Sequence, residues 1–240
     1  MENITCREDK IRINTLRALL SNRDMKKRVE KWIGNFKCGR LPSLEKYVKE
    51  DGISDTARWL TTIYFVYDNE VDILIGYFSL KANAVIHKID EETQRDMFRM
   101  HPGTKEFFDK SSIEERKLNV HSATPSVEIS QFALNDQYLE WMSNHNILNK
   151  GVGNYIFSNY IKDVLFMLSD RIGAALIILF AYQDEKRKVI EAYQRMGFMT
   201  IEDDEANLFP VTENLQPLRE LYDKDCCFMF LKMEDIVTQI

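Results

Sequence analysis

Two glycines separated by one residue, Gly151 and Gly153, have a type and spacing that indicate a chemical role. They precede a segment, 154–168, whose apolar residues recur at helical spacing. A phosphate can approach such a turn closely, bind the free backbone N–H groups of the first helical turn and gain from the helix dipole. Glycines more often serve only to turn the chain. Both roles remain open for this segment on the sequence alone.

Tyr193 is a candidate proton donor. It lies four residues before Gly197, near the end of a predicted helix that follows an apolar strand at 174–182. A phenol with the ordinary pKa of about 10 is protonated at neutral pH and can give its proton to a leaving thiolate. The alternative is a packing role in the core, which is the commoner one for a tyrosine.

The apolar run 127–134, Val-Glu-Ile-Ser-Gln-Phe-Ala-Leu, is predicted to be a central strand. If the next strand diverges from it, the backbone groups near Phe132, Ala133 and Leu134 are left free to hold an acyl-pantetheine. Glu128 lies in the same strand and can accept a proton from an amine, directly or through water. The alternative for Glu128, slightly favoured by the sequence, is an outward-facing carboxylate in solvent.

The elements that must position these residues follow from periodicity. Helices are predicted for 15–33, with Asn14 or Thr15 as its cap, for a short segment opened by Pro42, for 154–168 and for 184–196. Strands are predicted for 61–67, 73–82, 127–134, 174–182 and 225–232, with a hairpin turn at 68–70 and a bulge or close backbone approach at Gly76. We interpret 86–125 as an insertion or lid over the sheet.

The amino-acid composition argues against several classes of protein. The 240 residues are 45% apolar and 29% charged, as in globular proteins, and no run of about 18 uncharged apolar residues predicts a membrane span. The charged first ten residues indicate no signal peptide, and four cysteines without metal-ligand spacing fit a cytoplasmic protein. The four histidines show no paired spacing, so we expect no metal. No nucleophile signature indicates a hydrolase.

The net charge and its distribution along the chain indicate whether the protein could bind nucleic acid. The net charge of −6 argues against broad affinity for nucleic acid. Residues 1–60, however, hold 14 Lys and Arg against 9 Asp and Glu, while residues 201–240 hold 3 against 10. A basic face on the N-terminal part is therefore one interpretation, and a solvated helical surface is the favoured one.

The glycine pair resembles the pyrophosphate loop of the GNAT superfamily of acetyl-CoA-dependent N-acetyltransferases. That loop reads Gln/Arg-x-x-Gly-x-Gly/Ala; its glycines match Gly151 and Gly153, and Leu148 stands at its first position. The resemblance implies acetyl-CoA as the acetyl donor. It also implies that its pyrophosphate is held by backbone N–H groups of Asn149, Lys150, Gly151, Val152, Gly153 and Asn154.

A second family motif, aromatic-Tyr-x-x-x-Gly-Phe, is similar to residues 192–198, with alanine in place of the first aromatic residue. By this resemblance Tyr193 is the general acid. Many members carry an asparagine six residues earlier, where this chain has Arg187.

Upstream, Phe36-Lys-Cys-Gly39 and the strand segment 75–80, Ile-Gly-Tyr-Phe-Ser-Leu, are similar to the toxin-like branch of the superfamily. Known members of that branch acetylate the amino group of aminoacyl-tRNA and are neutralised by an antitoxin. The resemblance covers roughly residues 36–232. It implies an α/β (α+β) fold with a central mixed sheet flanked by helices. We divide the chain into a helical extension, 1–35, and a GNAT-like domain, 36–240.

The sequence therefore predicts an acyltransferase that moves an acetyl group from acetyl-CoA to a primary amine, with Tyr193 as acid and Glu128 or water as base. Two alternatives remain: a toxin-like enzyme that acetylates aminoacyl-tRNA, and a binding module that no longer catalyses. We expect no membrane partner, and nucleic acid only as tRNA. An edge strand at 225–232 would allow a homodimer.

Overall fold

A computed structural model describes residues 2–88, 121–182, 187–200, 226–233 and 235. It begins with β1 (Glu2–Asn3), a 3-10 helix (Ile4–Lys10), β2 (Ile11–Thr15), α1 (Leu16–Ser21) and α2 (Arg23–Asn35). The chain continues through α3 (Pro42–Glu50), α4 (Gly52–Ala57), β3 (Thr62–Asp68), β4 (Ile73–Lys88), β5 (His121–Leu134), α5 (Asp136–Asn144) and β6 (Ile147–Leu148). It then forms α6 (Val152–Ile156), a π-helical turn (Phe157–Ile161), α7 (Lys162–Ile172), β7 (Leu176–Tyr182), α8 (Lys188–Arg195), β8 (Met199–Thr200) and β9 (Cys226–Lys232).

The long N-terminal helix predicted for 15–33 is two helices in the structure. Thr15 caps α1 by accepting the N–H of Ala18, which confirms one of the two predicted caps. Asn22 then leaves the helical conformation, and its side-chain oxygen accepts the N–H groups of Asp24 and Met25. Apolar periodicity continues through this break, because both helices pack on the same core, and a cap that interrupts it is hard to recognise.

The sheet of the described residues has seven strands in the order β2-β3-β4-β5-β7-β9-β8. Neighbours are antiparallel except β5 and β7, which are parallel. A second, two-stranded parallel sheet joins β1 to β6. The architecture is thus α+β with a mixed sheet flanked by helices, as predicted.

Three expectations about the sheet need correction. The N-terminal extension is not wholly helical, because β2 pairs with β3 as an outer strand of the sheet. The presumed insertion 86–125 begins and ends as strand, since Lys88 pairs with His121; residues 89–120 lie outside the described residues. The strand predicted at 225–232 is not an edge strand, because β8 pairs with Met229 and Phe230 of β9. The domain boundary at residue 35 stays a prediction.

Both faces of the sheet carry buried side chains. One face packs against α5, α6, the π-helical turn and α8 through Phe78, Ile129, Tyr138, Val152, Ile156, Phe157, Ile177 and Ile190. The other face packs against α1, α2 and α3 through Leu16, Trp32, Phe36, Val48, Phe65 and Tyr77. A smaller cluster on β4, β7 and β9 contains Val85, Leu176, Ile178, Phe228 and Phe230. Within the described part of the chain, no helix is long and apolar enough to cross a membrane.

Candidate functional site

The sheet opens at its centre between the two parallel strands. β5 and β7 pair only over 126–129 and 176–179, and their last paired residues are Ile129 and Leu179. Beyond this point β5 continues to Leu134 on β4, and β7 continues to Tyr182 on β9. Because a strand carries hydrogen-bonding groups along both edges, residues 130–134 turn one backbone edge toward the gap. The two strands therefore diverge before Phe132, as the prediction of a free backbone at Phe132 requires.

A β-bulge lies at the start of this gap. Ile129 pairs with Leu80 and Gln131 pairs with Ser79, so Ser130 has no opposite residue on β4. Its hydroxyl is buried and has no hydrogen-bond partner among the described residues. A bulge bends its strand and increases the local twist, which separates β5 from β7. The sequence gives no sign of Ser130, since a bulge depends on the register with the neighbouring strand.

The glycine turn lies at the far end of the same gap. Gly151 has φ +85°, in the left-handed region, and precedes a helical segment that runs from Val152 to Ile172. The N–H of Tyr155 donates to the oxygen of Gly151 at 2.9 Å as the first intrahelical bond. The N–H groups of residues 152–154 precede that bond and lie at the helix N-terminus, where they can bind an anion.

Gly153 connects the turn to the strand and to α8. A Cβ built on Gly153 would lie 3.6 Å from Leu134 Cδ1 and 3.9 Å from Met196 Cε. The start of α6, the end of β5 and the end of α8 therefore meet around one glycine. The glycine turn, the central strand and the helix of Tyr193, which were identified as separate motifs in the sequence, are therefore adjacent in space.

Tyr193 is a partly buried residue of α8. Its ring packs edge-on against Phe198 with centroids 5.7 Å apart, and Phe198 packs in the same way against Phe157 at 5.6 Å. Burial raises the pKa of Tyr193 to about 12, since removal from water disfavours the phenolate. The hydroxyl is thus protonated across the physiological range, as a proton donor requires.

Glu128 is buried, and the expectation of a solvated carboxylate is wrong. Glu128 is 4% exposed, and it lies on an interior stretch of the sheet, where β5 pairs with Lys81 of β4 and with Ile178 of β7. Asn83 Nδ2 donates to its Oε2 at 2.6 Å. Asn83 was not anticipated from sequence; the antiparallel pairing of β4 with β5, once known, identifies it.

Glu128 and Tyr193 lie on different faces of the sheet. Glu128 shares a face with its neighbour Ile178, which belongs to the smaller core cluster, whereas Tyr193 packs against the cluster beneath α8. The two groups can approach one reacting atom only from opposite sides of the gap. Gly153 lies beside Leu134 and beside Met196, the residue that ends the helix carrying Tyr193, and Tyr193 packs on the same core cluster as Leu134.

The loop before the glycine turn is fixed through its side chains. Asn149 Nδ2 donates to Ser143 Oγ at 2.9 Å, which ties the loop to α5. Leu148 is 42% exposed and Lys150 is also exposed. The Asn149 side chain is therefore engaged within the protein, and only its backbone is available as proposed.

The Phe36–Gly39 segment is attached to the end of β5. The N–H of Lys37 donates to Asn135 Oδ1 at 3.1 Å, and the N–H of Gly39 donates to Asp136 Oδ2 at 2.7 Å. The N–H of Cys38 donates to Glu45 Oε2 at 3.0 Å. The motif thereby anchors α3 to the strand that borders the gap.

No family model matches this chain, and no curated protein sequence matches it. Solved structures do share its fold. The structure of AtaTR bound with AcCoA matches with a TM-score of 0.58 and 13% identity, over 96% of this chain and 98% of that one. A tyrosine-to-phenylalanine mutant of KacT matches at 0.56 and 15% identity, over 96% and 99%. AtaT complexed with acetyl-methionyl-tRNAfMet matches at 0.54 and 13% identity, over 95% and 98%.

These similarities confirm the GNAT-like fold. The structures that share it include proteins described as toxins, so the expected resemblance to the toxin-like branch holds at the level of fold. Identities of 13 to 15% establish the architecture and leave the roles of individual residues as proposals.

Proposed function

We propose that this protein is an acyltransferase that moves an acetyl group from acetyl-CoA to a primary amine. The observation that carries the proposal is the divergence of β5 and β7 after Ile129 and Leu179, with the Gly151–Gly153 turn at the other end of the gap. A neighbour with the same fold is described as bound with AcCoA.

The residues around the gap fit an extended donor with a pyrophosphate. The open backbone edge of 130–134 offers N–H and C=O groups to the amides of a pantetheine arm. The N–H groups at the start of α6 offer donors and a positive dipole end to the pyrophosphate. Gly151 and Gly153 present no side chain that would block this approach.

Acetyl-CoA supplies an acetyl group on a thioester when bound. The backbone near Phe132, Ala133 and Leu134 orients this group at the strand edge. Glu128 takes the proton that the attacking amine must lose, directly or through water. After the new carbon–nitrogen bond has formed, the carbon–sulfur bond breaks. Tyr193 then donates its hydroxyl proton to the departing sulfur.

Calorimetric titration with acetyl-CoA tests the binding step. We expect saturable binding with a Kd near or below ~100 μM, about −5.5 kcal/mol. Gly153→Val is the matched variant, because it places a branched side chain between Leu134 and Met196 at the turn. Absence of binding by the wild-type protein would refute the enzyme proposal.

We further propose aminoacyl-tRNA as the acceptor, on the strength of one exposed aromatic residue. Trp59 is 76% exposed and has φ +61°, a left-handed conformation that costs a bulky residue about 1–2 kcal/mol. The Arg17 guanidinium lies 3.5 Å from its ring centroid and also donates to the oxygen of Thr56. Arginine therefore fixes the indole with its other face open.

The position of Trp59 fits an acceptor surface. The strand that follows it begins with Thr62, which pairs with Leu80, and Leu80 pairs with Ile129 at the start of the gap. Two strand spacings, on the order of 10 Å, separate Thr62 from Ile129. The amine of an aminoacyl-tRNA is one ester bond from unpaired terminal nucleotides, whose bases can stack on an exposed aromatic ring.

Transfer of labelled acetyl from acetyl-CoA to total aminoacyl-tRNA tests this acceptor. Base stacking contributes about 1–3 kcal/mol, so Trp59→Ala should weaken tRNA binding at least ~5-fold, while Trp59→Phe retains it. Ile53→Ala, at an exposed apolar residue of α4, is the control. Acetylation of free amines with no acetylation of aminoacyl-tRNA would restrict the function to the first proposal.

A further inference from the structure

Residues 2–10 lie against the loop that we assign to the pyrophosphate. Glu2 and Asn3 pair in parallel with Ile147 and Leu148 of β6, and β6 leads directly into residues 149–154. A two-residue strand pair contributes few hydrogen bonds by itself. Its position matters, because it fixes the chain immediately before the glycine turn.

Apolar contacts reinforce this pairing. Ile4 and Ile11, at the two ends of the 3-10 helix, are 5% and 3% exposed. They belong to the same core cluster as Ile147, Val152 and Ile156, which precede and follow the glycine turn. Burial of an isoleucine side chain contributes about 1.5–3 kcal/mol, so the segment is firmly held beside the turn.

Arg7 is the main polar anchor of the segment. Its Nε donates to Asp68 Oδ2 at 2.9 Å and its Nη2 donates to Asp68 Oδ1 at 2.8 Å. The Asp68 side chain is fully buried, and that of Arg7 is 13% exposed. Tyr138 of α5 donates its hydroxyl to the same carboxylate at 3.2 Å. A bidentate pair with a buried carboxylate is geometrically specific.

Arg7 also contacts the helix that holds the loop. Its guanidinium lies 5.4 Å from the ring centroid of Trp141 in α5. Two residues further along α5, Ser143 accepts the hydrogen bond from Asn149 at the start of the loop. Arg7 therefore connects β3, α5 and, through α5, the loop.

On its other side the segment faces the helix that follows the loop. Burial first, then Tyr155 and the charge of Glu8, raise the pKa of Tyr160 in the π-helical turn. Residues 2–10 thus pair with the strand before 149–154 and share a core cluster, through Ile4, with the helical segment after it.

We propose that residues 2–10 form a clasp on the cofactor loop and that Arg7 is its positioning residue. Arg7 acts through Asp68 and Trp141 and holds residues 149–154 in the conformation that binds the pyrophosphate. Removal of Arg7 lowers the fraction of molecules with a competent loop and raises the apparent Kd in proportion. The chemical step, once the donor is bound, is unchanged. The identity of the ligand in this inference rests on the proposed function.

Arg28 provides a matched control for Arg7. Its Nε donates to Asp72 Oδ1 at 2.7 Å, so it also joins a helical segment to the β3–β4 hairpin region. Arg28 belongs to α2, which packs on the opposite face of the sheet from the clasp. Loss of either arginine removes one Arg–Asp pair, but Arg7 belongs to the clasp and Arg28 does not.

The experiment compares Arg7→Gln and Arg28→Gln in the full chain. Arg7→Gln should raise the Kd and KM for acetyl-CoA about tenfold, as when the competent fraction falls to a tenth, with kcat changed less than about twofold. It should also speed hydrogen exchange at the amides of 149–155. Arg28→Gln should leave both readouts unchanged. Lower thermal stability of Arg7→Gln with unchanged Kd and exchange would overturn the clasp.

Misfolding of Arg7→Gln and failure of the wild-type protein to bind acetyl-CoA can each be distinguished from failure of the clasp. If Arg7→Gln does not fold, because Asp68 is left buried and unpaired, Arg7→Lys keeps the charge and loses the bidentate geometry. It should raise the Kd to a smaller extent, and an unchanged Kd would count against the clasp. If the wild-type protein does not bind acetyl-CoA, the proposed function fails, and exchange at 149–155 without ligand still decides whether the clasp exists.

Discussion

Gly76 and Ala133 approach each other so closely that no side chain fits between them. A Cβ built on Gly76 would lie 2.5 Å from the carbonyl oxygen of Ala133, where β4 supports the gap-facing end of β5. The predicted bulge or close approach at Gly76 is confirmed. The approach keeps the backbone of 130–134 in position.

Gly76→Ala should therefore destabilise the protein by about 1–3 kcal/mol, because the clash is with backbone that can move only by shifting the strand. Acetyl-CoA affinity should fall as well. Urea unfolding and calorimetry measure the two effects. Gly34→Ala in α2 is the control, since a Cβ there meets nothing within 4 Å and alanine favours a helix. Equal stability of the two variants would contradict the prediction.

Tyr193→Phe should lower kcat about 10²-fold while the Kd for acetyl-CoA holds, because only the proton donor is lost. Release of the CoA thiol in the presence of an amine measures the rate. Tyr64→Phe is the control: Tyr64 is a partly buried tyrosine stacked on Phe78 at 4.8 Å and lies outside the proposed site. Unchanged kcat in Tyr193→Phe would indicate that Tyr193 packs in the core or that the fold only binds its ligand.

Activity should rise from pH 6 to 9. The attacking amine reacts only when deprotonated, whereas Tyr193 must be protonated, and its pKa of about 12 keeps it so throughout this range. The alkaline rise therefore belongs to the amine. A pH series of kcat/KM checks this expectation, and a flat profile with rate-limiting chemistry would exclude the mechanism.

Glu128→Gln should lower kcat about 10²-fold, since the amide retains an oxygen for the Asn83 hydrogen bond but cannot take a proton. Asn83→Ala removes a hydrogen bond that orients the carboxylate and keeps the carboxylate itself, so a smaller loss of about tenfold is expected. Steady-state kinetics with one amine measures both. Full activity of Glu128→Gln would assign the base to water.

Acid should destabilise the Phe36–Gly39 anchor. A hydrogen bond from Lys49, then one from the Cys38 N–H, lowers the pKa of Glu45 to about 2 from 4.5. A lowered carboxyl pKa stabilises the fold above the ordinary value, and this contribution is lost as pH falls from about 4.5 to about 2. Urea midpoints from pH 6 to 3 should decline less in Glu45→Gln than in the wild type. Glu50→Gln, an exposed control, should behave as the wild type.

Features governed by near neighbours were predictable. The cap at Thr15, the hairpin turn after Asp68, the apolar strand of β7 and the helix after Gly151 all depend on residues only a few positions apart. The GNAT-like motifs belong to this class, since glycine spacing and the placement of Tyr193 before Gly197 are local patterns. These elements can be predicted from local sequence, because capping, turn geometry and periodicity depend on residues within one or two helical turns of each other.

The way in which these elements meet depends on contacts between residues that are distant in sequence. The burial of Glu128, its bond to Asn83 and the bulge at Ser130 follow from the register of β5 with strands that are distant in sequence. The pair of Arg7 with Asp68 spans 61 positions, and no local pattern distinguishes it from a surface arginine. Register, burial and long-range pairing depend on the packing of the whole sheet, so the gap at Ile129 and the clasp on the glycine loop are properties of the folded chain.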